Sequence, residues 1–136
     1  MRGAVNHVDL TVADPARSRP FYDAVLGFMG YRRVNDHARG YDYDLEGDGT
    51  FCSIGIVQAS DEGAGRAHDR YSPGLHHLAW TAPDRADVDK LHDLLVEIGA
   101  TVLDAPAEYP QYGSGYYAVF FADPDGLKLE YVHWPR

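Results

Sequence analysis

The stretch Ala122–Trp134, ADPDGLKLEYVHW, decides how the chain is read. Asp123-Pro124-Asp125-Gly126 is the chemistry of a tight turn: proline pre-sets φ at one corner, and glycine accepts the backbone conformation that closes it. The residues after the turn alternate. Leu127, Leu129 and Tyr131 fall on one face of a strand, and Lys128, Glu130 and Val132 on the other. A carboxylate within an apolar-rich strand is costly to bury without a partner. Glu130 therefore faces solvent, meets a cation or binds a metal, and the rest of the sequence is searched for its partners.

Working outward, the stretch Asn6–Val12 alternates in the same way, with Val8, Leu10 and Val12 on one face and His7, Asp9 and Thr11 on the other. Asp14-Pro15 supplies a capping carboxylate and a first-turn proline, and a helix is predicted to about Leu26, ended by Gly27. Strands are predicted at about residues 29–35, 40–45 and 50–57, with Gly47-Asp48-Gly49 as a turn. Residues 59–74 carry no periodicity and read as a linker. Then the pattern returns. His77–Ala82 repeats the logic of the first strand, and Asp84 caps a second helix whose apolar face is Val88, Leu91, Leu94, Leu95 and Ile98, with Gly99 beyond its end. His7 and His77 are 70 residues apart, as are Asp14 and Asp84. Strands follow at about 101–103, 116–121 and 127–134. The order strand–helix–strand–strand–strand is thus written twice, in modules 1–58 and 75–136 of a single 136-residue domain.

Composition narrows the partners. With 12 basic and 21 acidic residues the net charge is −9, which argues against a phosphate backbone as partner. Apolar runs are far shorter than a membrane span, and no signal-peptide pattern opens the chain, so a cytoplasmic protein is expected. One cysteine, Cys52, excludes an internal disulfide and a multi-thiolate metal site in one chain. The ten tyrosines read mainly as strand residues at half-buried positions.

Phase selects the candidate site. If Val8, Leu10 and Val12 cover the first helix, His7 points to the opposite face of its sheet. His77 and Glu130 do so by the same argument. Two imidazoles and a carboxylate on rigid strands form a plausible two-histidine, one-carboxylate metal set with open positions for a small oxygenated substrate. Taken singly, each histidine is equally a satisfied half-buried residue and Glu130 a surface charge. By phase, His76 is expected on the helix side. His37, His68 and His92 are placed in loop or exposed positions, and His133 beside Tyr131.

These residues give the chain a resemblance to the vicinal oxygen chelate superfamily, which includes glyoxalase I, extradiol dioxygenases and the fosfomycin and bleomycin resistance proteins. The resembling stretches are NHVDLTVADPARSRPFYDAVLGF, GLHHLAWTAPD and FFADPDGLKLEYVH. The resemblance implies an α+β fold of two paired βαβββ modules, forming a curved mixed sheet around a metal-centred cup. It also implies one divalent ion (Fe2+, or Zn2+, Ni2+ or Mn2+) on His7, His77 and Glu130, a small-molecule substrate, and a homodimer. Ser53 is read at the slot of a fourth ligand, where it leaves three. Phe51, Ser53, Tyr112, Tyr117 and Phe120 are expected to line the substrate cup. Tyr116 is the only base the sequence offers. Two functions compete: a metal-dependent dioxygenase, lyase or isomerase acting on a vicinal-oxygen substrate, and a non-catalytic antibiotic-sequestering protein of the bleomycin-resistance type.

Overall fold

The computed structural model describes residues 2–136, which form two α+β units, one through Arg66 and one from Ala67. In the first unit, β1 (His7–Val12) is followed by α1 (Pro15–Phe28), β2 (Arg32–His37), β3 (Gly40–Gly47), β4 (Thr50–Gln58) and a single-turn helix, α2 (Asp61–Ala64). In the second, β5 (Leu78–Thr81) is followed by α3 (Arg85–Glu97), β6 (Thr101–Glu108), β7 (Tyr117–Ala122) and β8 (Lys128–His133). The sheets have the same plan. Strand orders are β1-β4-β3-β2 and β5-β8-β7-β6, with β1/β4 and β5/β8 parallel and the remaining pairs antiparallel. Among the described residues no helix is long and apolar enough to cross a membrane.

The helix starts follow from capping. The Asp14 carboxylate accepts from the Ala16 amide at 3.0 Å, and Asp84 accepts from Asp87 at 2.8 Å. Each contact satisfies one of the orphan donors of a first turn and is worth about 1 kcal/mol. The end of α1 differs from expectation. Gly27 continues the helix to Phe28, and Gly30, at φ +94, supplies the left-handed turn instead. That shifts the start of β2 from the expected residue 29 to Arg32.

Each helix covers one face of its own sheet. In the first unit Phe21, Tyr22, Val25 and Leu26 pack with Leu10, Val12, Tyr41, Tyr43, Ile54 and Ile56, all buried. In the second, Val88, Leu91 and Leu95 meet Val119, Phe121, Leu129 and Tyr131. Leu94 is half-buried, and Ile98 lies beyond the helix at 38 % exposure, so the apolar stripe is narrower than the sequence suggested. Core tyrosines bring their polar ends to the helices. The Tyr41 hydroxyl donates to the Pro15 carbonyl at 2.8 Å, Tyr43 to Asp23 at 2.7 Å and Tyr131 to Asp87 at 2.6 Å. A buried phenol needs such an acceptor, and these contacts tie sheet to helix.

The strand β6 runs five residues beyond the expected Leu103. Asp104 and Pro106 are poor strand formers, but β6 is an edge strand, where proline loses no ladder bond. Its pairing with β7 is irregular between Val102 and Asp104 and again between Asp104 and Ala107, as such residues require.

Candidate functional site

The turn before β8 fixes the site's phase. Asp123, 4 % exposed, accepts with Oδ1 from the amides of Asp125 (2.9 Å) and Leu127 (2.8 Å), while its own amide donates to the Leu127 carbonyl at 3.0 Å. Leu127, Leu129 and Tyr131 are thereby committed to the α3 side, and Lys128, Glu130 and Val132 to the other.

Glu130 is 2 % exposed, and both oxygens are engaged. Oε1 accepts from the Tyr116 hydroxyl, and Oε2 lies 3.0 Å from His77 Nε2. Burial, and then the hydrogen bond to the Glu130 carboxylate, push the Tyr116 phenol well above its ordinary value of 10. Tyr116 therefore holds its proton and donates; as a base, the role the sequence offered it, it is unsuited. His77 Nδ1 stands 2.7 Å from Nδ1 of His76. If His77 Nε2 donates to Glu130, His77 Nδ1 is an acceptor and His76 Nδ1 carries the proton, an assignment made from the hydrogen-bond pattern. Desolvation, with the positive field of His77, Lys128, Arg70 and His68, holds His76 below the usual imidazole range, so it is neutral at pH 7.

His76 was expected on the helix side and is instead exposed beside His77. Strand alternation cannot be counted back to it, because β5 begins only at Leu78. His68 anchors this loop, its amide donating to Asp125 (3.3 Å) and its Nε2 contacting the Leu75 carbonyl (3.0 Å).

An aromatic wall surrounds the pair. Phe120, across the ladder from Glu130, lies 6.4 Å from the His77 ring and 5.3 Å from Tyr109. Tyr109 stacks on Tyr112 at 5.6 Å, and Tyr116 packs against Tyr112 (5.4 Å) and Trp134 (5.3 Å). Tyr112, 55 % exposed, presents its ring to solvent. Tyr117 does not belong here. It shares its phase with Val119 and Phe121, its hydroxyl donates to Asp89 of α3 at 2.6 Å, and its ring carries the Arg85 guanidinium. The sequence missed Tyr109, Trp134, His76 and Lys128. Lys128 was legible, since it sits two residues before Glu130 on the same face.

His7, Phe51 and Ser53 lie in the first unit. They line an open depression of about 380 Å³ together with Asp9, Asp42 and Asp44. His7 is exposed, its Nδ1 2.9 Å from Asn6 Oδ1. The ladders correct the fourth-ligand assignment. Two residues after His77, Ala79 pairs with Glu130; two residues after His7, Asp9 pairs with Gly55. Gly55, not Ser53, is the counterpart of Glu130. A Cβ at Gly55 would stand 2.2 Å from Asp9 Oδ1, so a carboxylate occupies this place too, but it arrives from β1.

Among the described residues no three His, Cys, Asp or Glu side chains are grouped to hold a metal ion. The His77–Glu130 pair does fit one. Two donors each about 2.1 Å from an ion and about 90° apart stand about 3.0 Å from each other, which is the observed separation.

Residues 4–131 match the family described as the glyoxalase/bleomycin resistance protein/dioxygenase superfamily. The chain is 32 % identical to the uncharacterised Bacillus subtilis protein YqjT over 128 residues, covering 94 % of this chain and 97 % of that one. It is 26 % identical to a metallothiol transferase, FosB, of Lysinibacillus sphaericus, over 94 % of this chain and 80 % of the relative. It is 27 % identical to a Bacillus subtilis catechol-2,3-dioxygenase, covering 97 % of this chain and 42 % of that protein. Among solved structures, a glyoxalase-like protein from Bacillus halodurans superposes with a TM-score of 0.81 at 32 % identity, covering 98 % and 97 % of the two chains.

Proposed function

Because this chain belongs to the glyoxalase/bleomycin resistance protein/dioxygenase superfamily, we propose that it is a divalent-metal-dependent enzyme acting on a small substrate with two adjacent oxygens. His77 and Glu130 of the second unit are its proposed protein ligands. The observation that carries this reading is Glu130: a carboxylate 2 % exposed, with no lysine or arginine within ion-pair distance among the described residues, held by an imidazole and a phenol. Removing a carboxylate from water costs several kcal/mol even after relaxation. A purely structural role would be served better by an apolar residue.

Imidazole and carboxylate donors suit Fe2+, Zn2+, Ni2+ or Mn2+, and the bound ion would supply Lewis-acid polarisation and a template for the substrate oxygens. The chain's own residues supply the rest. Tyr116 keeps its proton and orients Glu130 by donating to Oε1. His76 holds His77 through the Nδ1 contact and can give or take the proton between them, which leaves His77 Nε2 able to turn from donor to ligand. Phe120 and Tyr109 shield Glu130 from water on one side. An exposed ring stack at Tyr109 and Tyr112 favours, as a second reading, ligand sequestration without turnover.

The test is metal content, by mass spectrometry, of untagged protein purified without chelator. Near-stoichiometric metal, lost in His77→Ala and Glu130→Gln, is expected. No metal in the wild type after anaerobic reconstitution with Fe2+, Zn2+, Ni2+ and Mn2+ would overturn the enzyme reading and leave sequestration. The homodimer belongs to the same proposal; light scattering at 15.1 kDa, the mass of one chain, would refute it.

A further inference from the structure

Resting on the reading of Glu130 and His77 as the substrate site, we propose that the substrate carries an anionic group, a carboxylate or a phosphate, and that Lys128 receives it with Arg70 at its flank. Lys128 precedes Glu130 by two residues on β8 and faces the same way. Its ammonium lies 4.5 Å from the centroid of the Phe120 ring, the ring that also borders His77. The aromatic face desolvates one side of the ammonium and holds the flexible stem in place, at a gain of about 0.5–1 kcal/mol for a half-exposed pair. The three donors stay available.

The chain has 21 acidic residues against 12 basic ones, so carboxylate partners are plentiful. Arg19, Arg33, Arg66 and Arg85 each have one within 4 Å. Among the described residues Lys128 and Arg70 have none, nor do Arg32, Arg39, Lys90 and Arg136; what sets Lys128 and Arg70 apart is their place beside the Phe120 and Tyr71 rings that border His77 and His76. Arg70 instead lies over Tyr71, 4.9 Å from the ring centroid, and its Nε is buried without an acceptor. Tyr71 in turn packs on His76 at 5.7 Å and His76 on His77 at 4.9 Å, so a continuous set of rings links Arg70 to the site. Two carboxylates lie on this face: Glu130, whose oxygens are committed to Tyr116 and His77, and the exposed Asp104, across the ladder from Phe120, which is not within 4 Å of Lys128. The face therefore pairs an uncompensated cation at Lys128 with an oriented carboxylate at Glu130. A ligand with an anion at one end and neutral oxygens at the other fits that order, the anion at Lys128 and the oxygens toward His77.

The experiment is an NMR titration of the isotopically labelled, metal-free protein with glycolate, phosphoglycolate and the neutral glycolamide. Metal loading is followed separately on the same preparations. At least one of the two anions should bind with roughly tenfold preference over glycolamide, the size of one charge-assisted hydrogen bond at a half-exposed site. The shifts should centre on Phe120, Lys128 and His76–Leu78. The preference should weaken as salt is raised. Lys128→Met, which keeps the stem over Phe120, should abolish the preference and leave metal loading unchanged. Lys128→Arg should retain it, as should Lys90→Met on α3. Whichever anion binds better identifies the group. Equal binding of glycolamide, shifts confined to other surfaces, or an undiminished preference in Lys128→Met would each overturn the proposal. Failure to load metal would instead overturn the enzyme reading, whatever the anion does.

Discussion

The Tyr116–Glu130 hydrogen bond is the contact whose removal tests the site most directly. Tyr116→Phe keeps the ring, and with it the packing on Tyr109, Tyr112 and Trp134, and deletes only the donor. Glu130 Oε1 then has no donor within a site that leaves the residue 2 % exposed. A hydrogen bond to a charged group is worth about 1.5–3 kcal/mol, and stranding a buried acceptor costs at least as much. Tyr116 is half-buried, so water can reach part of the vacated space and the lower end applies, about 1.5 kcal/mol. For a chain of this size that lowers the melting temperature by about 3–6 °C. The measurement is urea unfolding at pH 7 with EDTA present, so that metal binding contributes nothing. The same substitution in a Glu130→Gln background should cost about half as much, since the partner is then neutral, which gives a coupling energy of about 1 kcal/mol. A loss below about 0.5 kcal/mol, or an equal loss in both backgrounds, would refute the claim that the phenol is the carboxylate's support.

Burial raises the Tyr41 phenol to about 12 from 10. A group whose folded pKa is raised contributes stability that is fully present below its unfolded value and lost as pH rises through the folded one. Stability should therefore fall between pH 10 and about 12, and less steeply in Tyr41→Phe, as alkaline urea unfolding would reveal. Gly55→Ala places a methyl 2.2 Å from Asp9 Oδ1 and should destabilise the first unit by about 1–3 kcal/mol, with most of the loss recovered in Asp9→Gly/Gly55→Ala. Thermal melts of the two variants decide it. His76→Ala should weaken metal affinity about 10–100-fold with stability nearly unchanged, since its ring is exposed and its contact is to His77. Competition with a chromogenic chelator measures this, and an unaltered affinity would remove His76 from the site.

The features legible in the sequence were those with short-range causes. Asp14 and Asp84 announced their helices because a capping carboxylate acts over two or three residues. The turn at Asp123–Gly126 announced the phase of Glu130 because its hydrogen bonds close within five residues. Features set by neighbours in space were harder to read. The length of β6 depends on its being an edge strand. The end of α1 depended on a choice between Gly27 and Gly30 that composition does not make. Tyr117 is a different case. Its phase with Val119 and Phe121 was readable, and grouping it with Tyr116 as one aromatic cluster passed over the alternation that separates them.

The contrast between the units shows why Glu130 could be singled out and Asp9 could not. Both units place a carboxylate at the same point of the same topology, next to a histidine two residues back along the parallel strand pair. In the first unit Asp9 reaches over Gly55 from an exposed position, beside Asp42 and Asp44, where water carries the cost of its charge. In the second, Glu130 projects from β8 beneath Phe120 and Tyr116, where water does not reach and protein groups must take its place. A desolvated carboxylate constrains its surroundings: it requires a phenol that keeps its proton, an imidazole in a defined orientation, and a second imidazole to hold the first. An exposed one requires none of these. The sequence marked Glu130 because it broke an apolar strand, whereas Asp9 stood in an ordinary alternation. That asymmetry is why Glu130, and not Asp9, carries the proposed metal reading.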